Sequence, residues 1–198
     1  MKTLLKIIVV TCITGSVFAL FYHQDTLKSL SVFKNYEVGD TLDIYENVVV
    51  YYNGSTGNVS GRNTTEDGYN LGLKYQCVEF VKRFYYERYN HKMPNSYGHA
   101  KDFFNKNIDD AELNPDRDLL QFNHPSVNIP KVGDLIVFDA SIFNAYGHVA
   151  IVAHVGKDEI EIVQQNTGTQ SRSTYPMNFE NEKYTIGAVG ILGYLRRK

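Results

Sequence analysis

The second half of the chain most narrows what it can fold into. Residues 132–140 (VGDLIVFDA), 148–155 (HVAIVAHV), 159–165 (EIEIVQQ) and 185–195 (TIGAVGILGYL) are short apolar or alternating runs, separated by Gly, Asn, Lys and Asp. Such runs predict strands, and turn residues between them at close spacing predict an antiparallel meander. Ahead of them, Val78, Val81, Phe84, Tyr85 and Tyr89 recur at three- and four-residue spacing, with Glu79, Lys82, Arg83 and Glu87 on the other side. That spacing predicts an amphipathic helix from Cys77 to about Tyr89. Helix first and sheet second is the pattern of an α+β domain, N-terminal helices packed on an antiparallel sheet.

The remaining segments are less regular. Residues 47–52 (NVVVYY) predict another strand, 53–70 a long polar loop, 96–104 a second short helix and 107–130 a polar surface connection. Three Asn-x-Ser/Thr sequons, at Asn53, Asn58 and Asn63, fall in or beside the loop and read as chance in so polar a stretch. No internal repeat or domain linker is visible.

The first residues have a different character. Lys2 and Lys6 flank a short basic region, and residues 7–21 are uncharged and mostly apolar. A membrane span needs about 20 such residues, so the stretch suits a signal-peptide core better. Cleavage after Ala19 is expected, with an uncleaved N-terminal anchor as the alternative and a lipoprotein at Cys12 as a weaker one. The division is then 1–19 signal segment, 20–44 lead-in and 45–198 main domain. The protein is expected to be secreted or periplasmic, touching membrane only through that segment, and monomeric.

Charge excludes one class of partner. A net charge of −2 with no clustered Lys/Arg beyond Arg196, Arg197 and Lys198 offers no footprint for nucleic acid. The cysteines then carry more information. Cys12 lies in the signal segment, leaving Cys77 without an internal disulfide partner. At a helix start, its thiol sits near unpaired backbone N–H groups, where the helix dipole favours an anion. A thiolate is the reactive form, and the same N–H groups can hold an oxyanion. Gln76 supplies an amide donor that could serve the same end, or merely cap the helix.

A nucleophilic thiol needs a base, and imidazole suits that task. Of six His, His23 lies beside the signal segment, His99 and His124 in polar connections, and His91 at the far end of the helix, about 20 Å along its axis. His148 and His154 lie on one strand about 20 Å apart, so only one can face Cys77. His148 follows Gly147 at the strand's opening and is the better candidate. A tight turn at 156–158 pairs that strand with residues 159–166, which brings Gln164 and Asn166 beside His148 as orienting partners.

These segments resemble the CHAP family, cysteine- and histidine-dependent amidohydrolases/peptidases of the papain-like superfamily. The likeness rests on Tyr75-Gln76-Cys77-Val78-Glu79-Phe80, the segments 132–138 and Gly147-His148-Val149-Ala150-Ile151-Val152, then Ile162-Val163-Gln164-Gln165-Asn166 and Ile191-Leu192-Gly193-Tyr194. It covers about residues 45–196, and in look it is nearest to the glutathionylspermidine amidase domain. The resemblance implies Cys77 as nucleophile, His148 as base and a third, usually acidic, residue at Gln164, with Asn166 following. A neutral amide there departs from the family pattern. It can orient an imidazole but not stabilise imidazolium by charge.

The resemblance implies amide hydrolysis through a thioester. Export points to peptidoglycan or a related peptide as substrate. A small glutathionylspermidine-like conjugate is the alternative substrate, and a catalytically weak binding module the alternative class. Some relatives bind Ca²⁺ before the Cys. Here Glu66-Asp67-Gly68 lacks alternating oxygen ligands, so no metal and no cofactor are expected.

Overall fold

The computed structural model describes residues 35–198. The expected signal segment with Cys12, and the lead-in as far as residue 34, lie outside the described residues. Glu37–Lys198 form one compact unit, which takes in the end of that lead-in.

Two hairpins precede the helix: β1 (Thr41–Tyr45) with β2 (Val48–Tyr51), and β3 (Arg62–Thr64) with β4 (Asn70–Leu73). Helix α1 spans Cys77–Tyr89 and ends at Asn90 in a left-handed conformation, φ 50°, which closes the last turn. After a short 3₁₀ turn at Ala100–Phe103 come β5 (Glu112–Asn114), β6 (Leu119–Asn123), β7 (Leu135–Phe138), β8 (His148–Val155), β9 (Glu159–Val163), β10 (Arg172–Glu180), β11 (Lys183–Ile186) and β12 (Ile191–Arg196). These eight form one antiparallel sheet in the order β11-β10-β9-β8-β7-β12-β6-β5.

The sheet is covered on both faces where β8 runs, which is why its sequence reads as nearly continuous apolar residues. Val149 and Ile151 pack with Phe80, Val81, Phe84 and Tyr85 of α1. Ala150 and Val152 point the other way, against Ile160, Ile162, Met177 and Ile186. The helix therefore docks on the middle of the sheet and carries its first residue, Cys77, to the start of β8.

Four expectations change. Among the described residues there is one α-helix rather than several N-terminal helices, and it follows two hairpins. Residues 96–104 hold only the 3₁₀ turn, preceded by Gly98 at φ 113°, a conformation that does not continue into a helix. Residues 53–70 and 107–130 are not merely connections, since they contain β3, the first residue of β4, β5 and β6, whose Asn, Thr, Arg and Gln hide the strand period. Strand β10 also lies in a stretch not read as a strand.

The charged side of α1 is a further correction. Glu79, Lys82 and Arg83 are buried, not solvated. The β3–β4 hairpin covers that side, and hydrogen bonds replace the lost water. Glu79 Oε1 accepts from Arg83 Nε at 2.6 Å and from Asn63 Nδ2 at 2.8 Å.

Candidate active site

Cys77 is the first residue of α1, and Gln76 before it is extended at φ −81°, ψ 162°. The thiol is buried, 8% exposed, and packs in the core with Val149. Burial pushes it up to about 11, against the pull of the backbone N–H groups of Val149, Val78 and Cys77 itself. The start of β8 and the first turn of α1 thus converge on the sulfur.

His148 opens β8 opposite Phe138 of β7, whose ring lies 5.9 Å from the imidazole. Gly147 sets its approach, because at φ 74° a Cβ there would meet the Phe138 carbonyl oxygen at 2.5 Å. The imidazole Nε2 lies 3.0 Å from Gln164 Oε1. Gln164 is 5% exposed, and its Nε2 donates to Ser173 Oγ of β10 at 2.9 Å. With its nitrogen turned to Ser173, the amide presents oxygen to the ring, so His148 donates from Nε2 and keeps the Nδ1 lone pair. Burial pushes His148 down to about 4, and the Gln164 hydrogen bond opposes that only in part. At neutral pH the two groups are therefore a thiol and an uncharged imidazole.

Gln164, Gln165 and Asn166 follow β9, and each amide holds a different part of the site. Gln164 holds His148. Gln165, fully buried, donates to the Gln76 carbonyl at 3.1 Å and to Glu79 Oε2 at 2.9 Å, and accepts from the Tyr51 N–H at 2.8 Å. Asn166, left-handed at φ 70°, donates to Gln76 Oε1 at 2.6 Å and to the Thr56 carbonyl at 3.0 Å, while its Oδ1 accepts from Asn53 Nδ2 at 2.8 Å. Asn166 thus lies at the site but spends its amide on the loop and the helix start, not on His148.

Gln76 likewise differs from expectation. Its Nε2 donates to the carbonyls of Thr56 at 3.2 Å and Asn58 at 2.7 Å. Both amide hydrogens are used to tie the loop after β2 over the helix start. The donors left for an oxyanion are the N–H groups of the first helical turn.

Cys77, His148, Gln76 and Asn166 line one cavity of about 580 Å³, with Tyr97 and Tyr146 also in its wall. Tyr146 is 61% exposed and packs on His99, ring centroids 4.7 Å apart. Among the described residues His99 also lines the cavity, whereas His91 pairs with the Arg117 carbonyl, His124 accepts from the Ile186 N–H, and His154 is exposed on β8. The sequence assigns no role in the site to Ser173, Gln165 or Asn53. The run of three amides ending β9 was the one signal that could have drawn attention to Gln165.

The CHAP domain family model matches residues 66–166, just over half of the chain. Trypanothione synthetase of Crithidia fasciculata is 32% identical over 107 residues, covering 54% of this chain and 16% of that protein. The bifunctional glutathionylspermidine synthetase/amidase of Escherichia coli (strain K12) is 31% identical over 134 residues, covering 63% of this chain and 21% of that protein. The chain thus spans about a fifth or less of the length of these curated relatives. A solved structure described as Ly7917 with the hydrolyzing product of MDP is 27% identical, with a TM-score of 0.26 over 36% of this chain and 30% of that one, too low to place fold or function.

Proposed function

This chain belongs to the CHAP domain family, and on that premise we propose that it is an exported cysteine amidohydrolase whose nucleophile is Cys77 and whose base is His148. The observation that carries the reading is the shared cavity: Cys77 and His148 line it together, and Gln164 holds the imidazole by Nε2 so that Nδ1 stays a lone pair. One helix presents the Cys and an antiparallel sheet the His, an arrangement we read as papain-like.

The resting pair is uncharged, so attack and proton transfer proceed together. His148 Nδ1 takes the thiol proton as Sγ bonds to the amide carbonyl carbon. The charge moves to the carbonyl oxygen, where the first-turn N–H groups of α1 receive it. The imidazolium then gives its proton to the leaving nitrogen, the C–N bond breaks and a thioester remains. Water, deprotonated by His148, attacks the thioester, and the carboxylic acid leaves as the proton returns to sulfur. Gln164 Oε1 accepts the Nε2–H throughout. Gln76 and Asn166 act as positioning residues that hold the loop over α1.

We read the substrate as an amide bond of peptidoglycan, cleaved outside the cytoplasm, an inference that rests on the apolar segment at residues 7–21. A second reading, an amide of a glutathionylspermidine-like conjugate, is favoured by the likeness to the bifunctional synthetase/amidase. Mass analysis of purified peptidoglycan and of glutathionylspermidine, each digested by wild type and by Cys77→Ala, tests both. Wall fragments released by wild type alone support the first reading, and polyamine release alone supports the second. Release by Cys77→Ala at the wild-type rate overturns the nucleophile, and no release by either protein leaves a binding module.

A further inference from the structure

The wall of the cavity that holds Cys77 and His148 also contains Arg62, Asn70, Ser96, Tyr97 and Gly98. Arg62 on β3 pairs with Leu73 on β4, close before Cys77 in the chain. Arg62 is exposed, and its guanidinium donates to Asn70 Oδ1 at 2.9 Å and leans toward the Tyr97 ring at 5.8 Å. Among the described residues Arg62 forms no ion pair.

Two more cations stand behind this wall. Lys82, 1% exposed, donates to the carbonyls of Asn70 and Ser96, the latter at 2.7 Å, and sits over the Tyr69 ring at 4.9 Å. Arg117, also 1% exposed, donates to the carbonyls of Asn95, Tyr97 and Asp102, and its Nε is a buried donor without a partner. Neither forms an ion pair among the described residues. Burial together with the charges of Arg117 and Arg62 pushes Lys82 down to about 7. Gly98 borders Arg117: a Cβ there would sit 3.4 Å from Arg117 Nη2 and 3.4 Å from Asp102 Oδ2. The nearby acids act on Arg117: Asp116, and Asp102, which accepts from the His99 N–H at 2.8 Å.

Protonated Lys82 and Arg117 are held by backbone carbonyls rather than by ion pairs, so part of their positive field reaches the cavity wall. We propose that Arg62, backed by Lys82 and Arg117, forms a subsite for a carboxylate of the substrate, so that the protein selects acyl-peptides bearing a free acid near the scissile amide. The guanidinium keeps donors in the fork geometry that matches a carboxylate. Asn70 holds the fork in place, and Tyr97 covers its face. This inference rests on the amidase reading of the cavity.

The test uses matched acyl-peptide amides, each with a carboxylate, either free or as carboxamide, at one position within two residues of the scissile bond. Each is titrated calorimetrically into Cys77→Ala and into Cys77→Ala/Arg62→Gln, and each is offered to wild type for hydrolysis. At one position the free acid is expected to bind Cys77→Ala about tenfold tighter than its carboxamide. Arg62→Gln should bring that ratio near unity, and Arg62→Lys should restore part of it. Equal binding of acid and carboxamide at every position, no binding of either, or an unchanged ratio in Arg62→Gln would overturn the subsite. Preferential binding of the acid without hydrolysis by wild type would support the subsite and count against the amidase reading.

Discussion

His148 and Gln164 are joined by one hydrogen bond, 3.0 Å from Nε2 to Oε1, and both partners are uncharged. An acid at that position would stabilise imidazolium, whereas the amide only fixes which ring nitrogen carries hydrogen. The pair therefore orients the imidazole rather than charging it. Whatever ionises must do so with substrate in place.

Gln164→Glu reverses that choice. A carboxylate beside Nε2 favours imidazolium and lifts His148 from its value of about 4. With neutral His148 as the proposed base, kcat/KM is expected to rise as pH climbs through its pKa. The acid limb of wild type is expected near pH 4, and that of Gln164→Glu higher by about one unit or more. A pH–rate profile for the two proteins measures the shift. Superimposable acid limbs would show that Gln164 does not act on the base.

Ser173 is the next link. Its hydroxyl oxygen holds Gln164 Nε2 at 2.9 Å, which keeps the amide from turning its nitrogen toward the Nε2–H of His148. Ser173→Ala removes that hold. Losing one hydrogen bond corresponds to a fall in kcat of about threefold to tenfold. KM should barely move, because Ser173 does not line the cavity. Ser173→Thr keeps the hydroxyl and should recover most of the rate. Steady-state kinetics on one substrate separate the outcomes, and a loss confined to KM would argue against orientation.

Much of this arrangement was legible in the sequence, and the reason is local. The helix from Cys77 to Tyr89 shows in its spacing, because one buried face repeats at the helical period, and β8 in its apolar run, because both its faces are buried. The short turn at 156–158 fixes the β8–β9 register, so Gln164 beside His148 could be foreseen. What stayed hidden depends on distant partners. Glu79 and Arg83 look solvent-facing until the β3–β4 hairpin covers them. The amides of Gln76 and Asn166 look free until the loop after β2 folds over the helix start. Ser173 lies on β10, whose mixed polar residues give no strand period.

The thiol offers a sharper test of the resting state. With burial holding Cys77 up at about 11 and His148 down at about 4, a thiolate–imidazolium pair is not populated in the empty site. Alkylation of Cys77 by a small neutral electrophile such as iodoacetamide should be slow at neutral pH and accelerate through the alkaline range, since only thiolate reacts. Mass mapping of the labelled peptide distinguishes Cys77 from Cys12. Rapid alkylation with a flat profile between about pH 5 and 8 would be the mark of a preformed ion pair, and would contradict this account.

The buried charges under the site set its stability. Glu79 and Arg83 are linked at 2.6 Å with side chains 1% and 7% exposed, and Gln165 binds the same carboxylate while anchoring the Gln76 carbonyl. Arg83→Met leaves the Glu79 carboxylate without its cation. Breaking a buried pair from one side costs about 3–5 kcal/mol. Replacing both partners, as Glu79→Gln with Arg83→Met, removes the orphaned charge and should recover part of that loss, because the amide oxygen can still accept from Asn63 although its nitrogen then faces the Gln165 Nε2 donor. Urea denaturation of the two variants and wild type reads the difference directly. If the single and double variants prove equally unstable, Arg83 contributes through packing and its bond to the Val49 carbonyl at 2.8 Å rather than through charge.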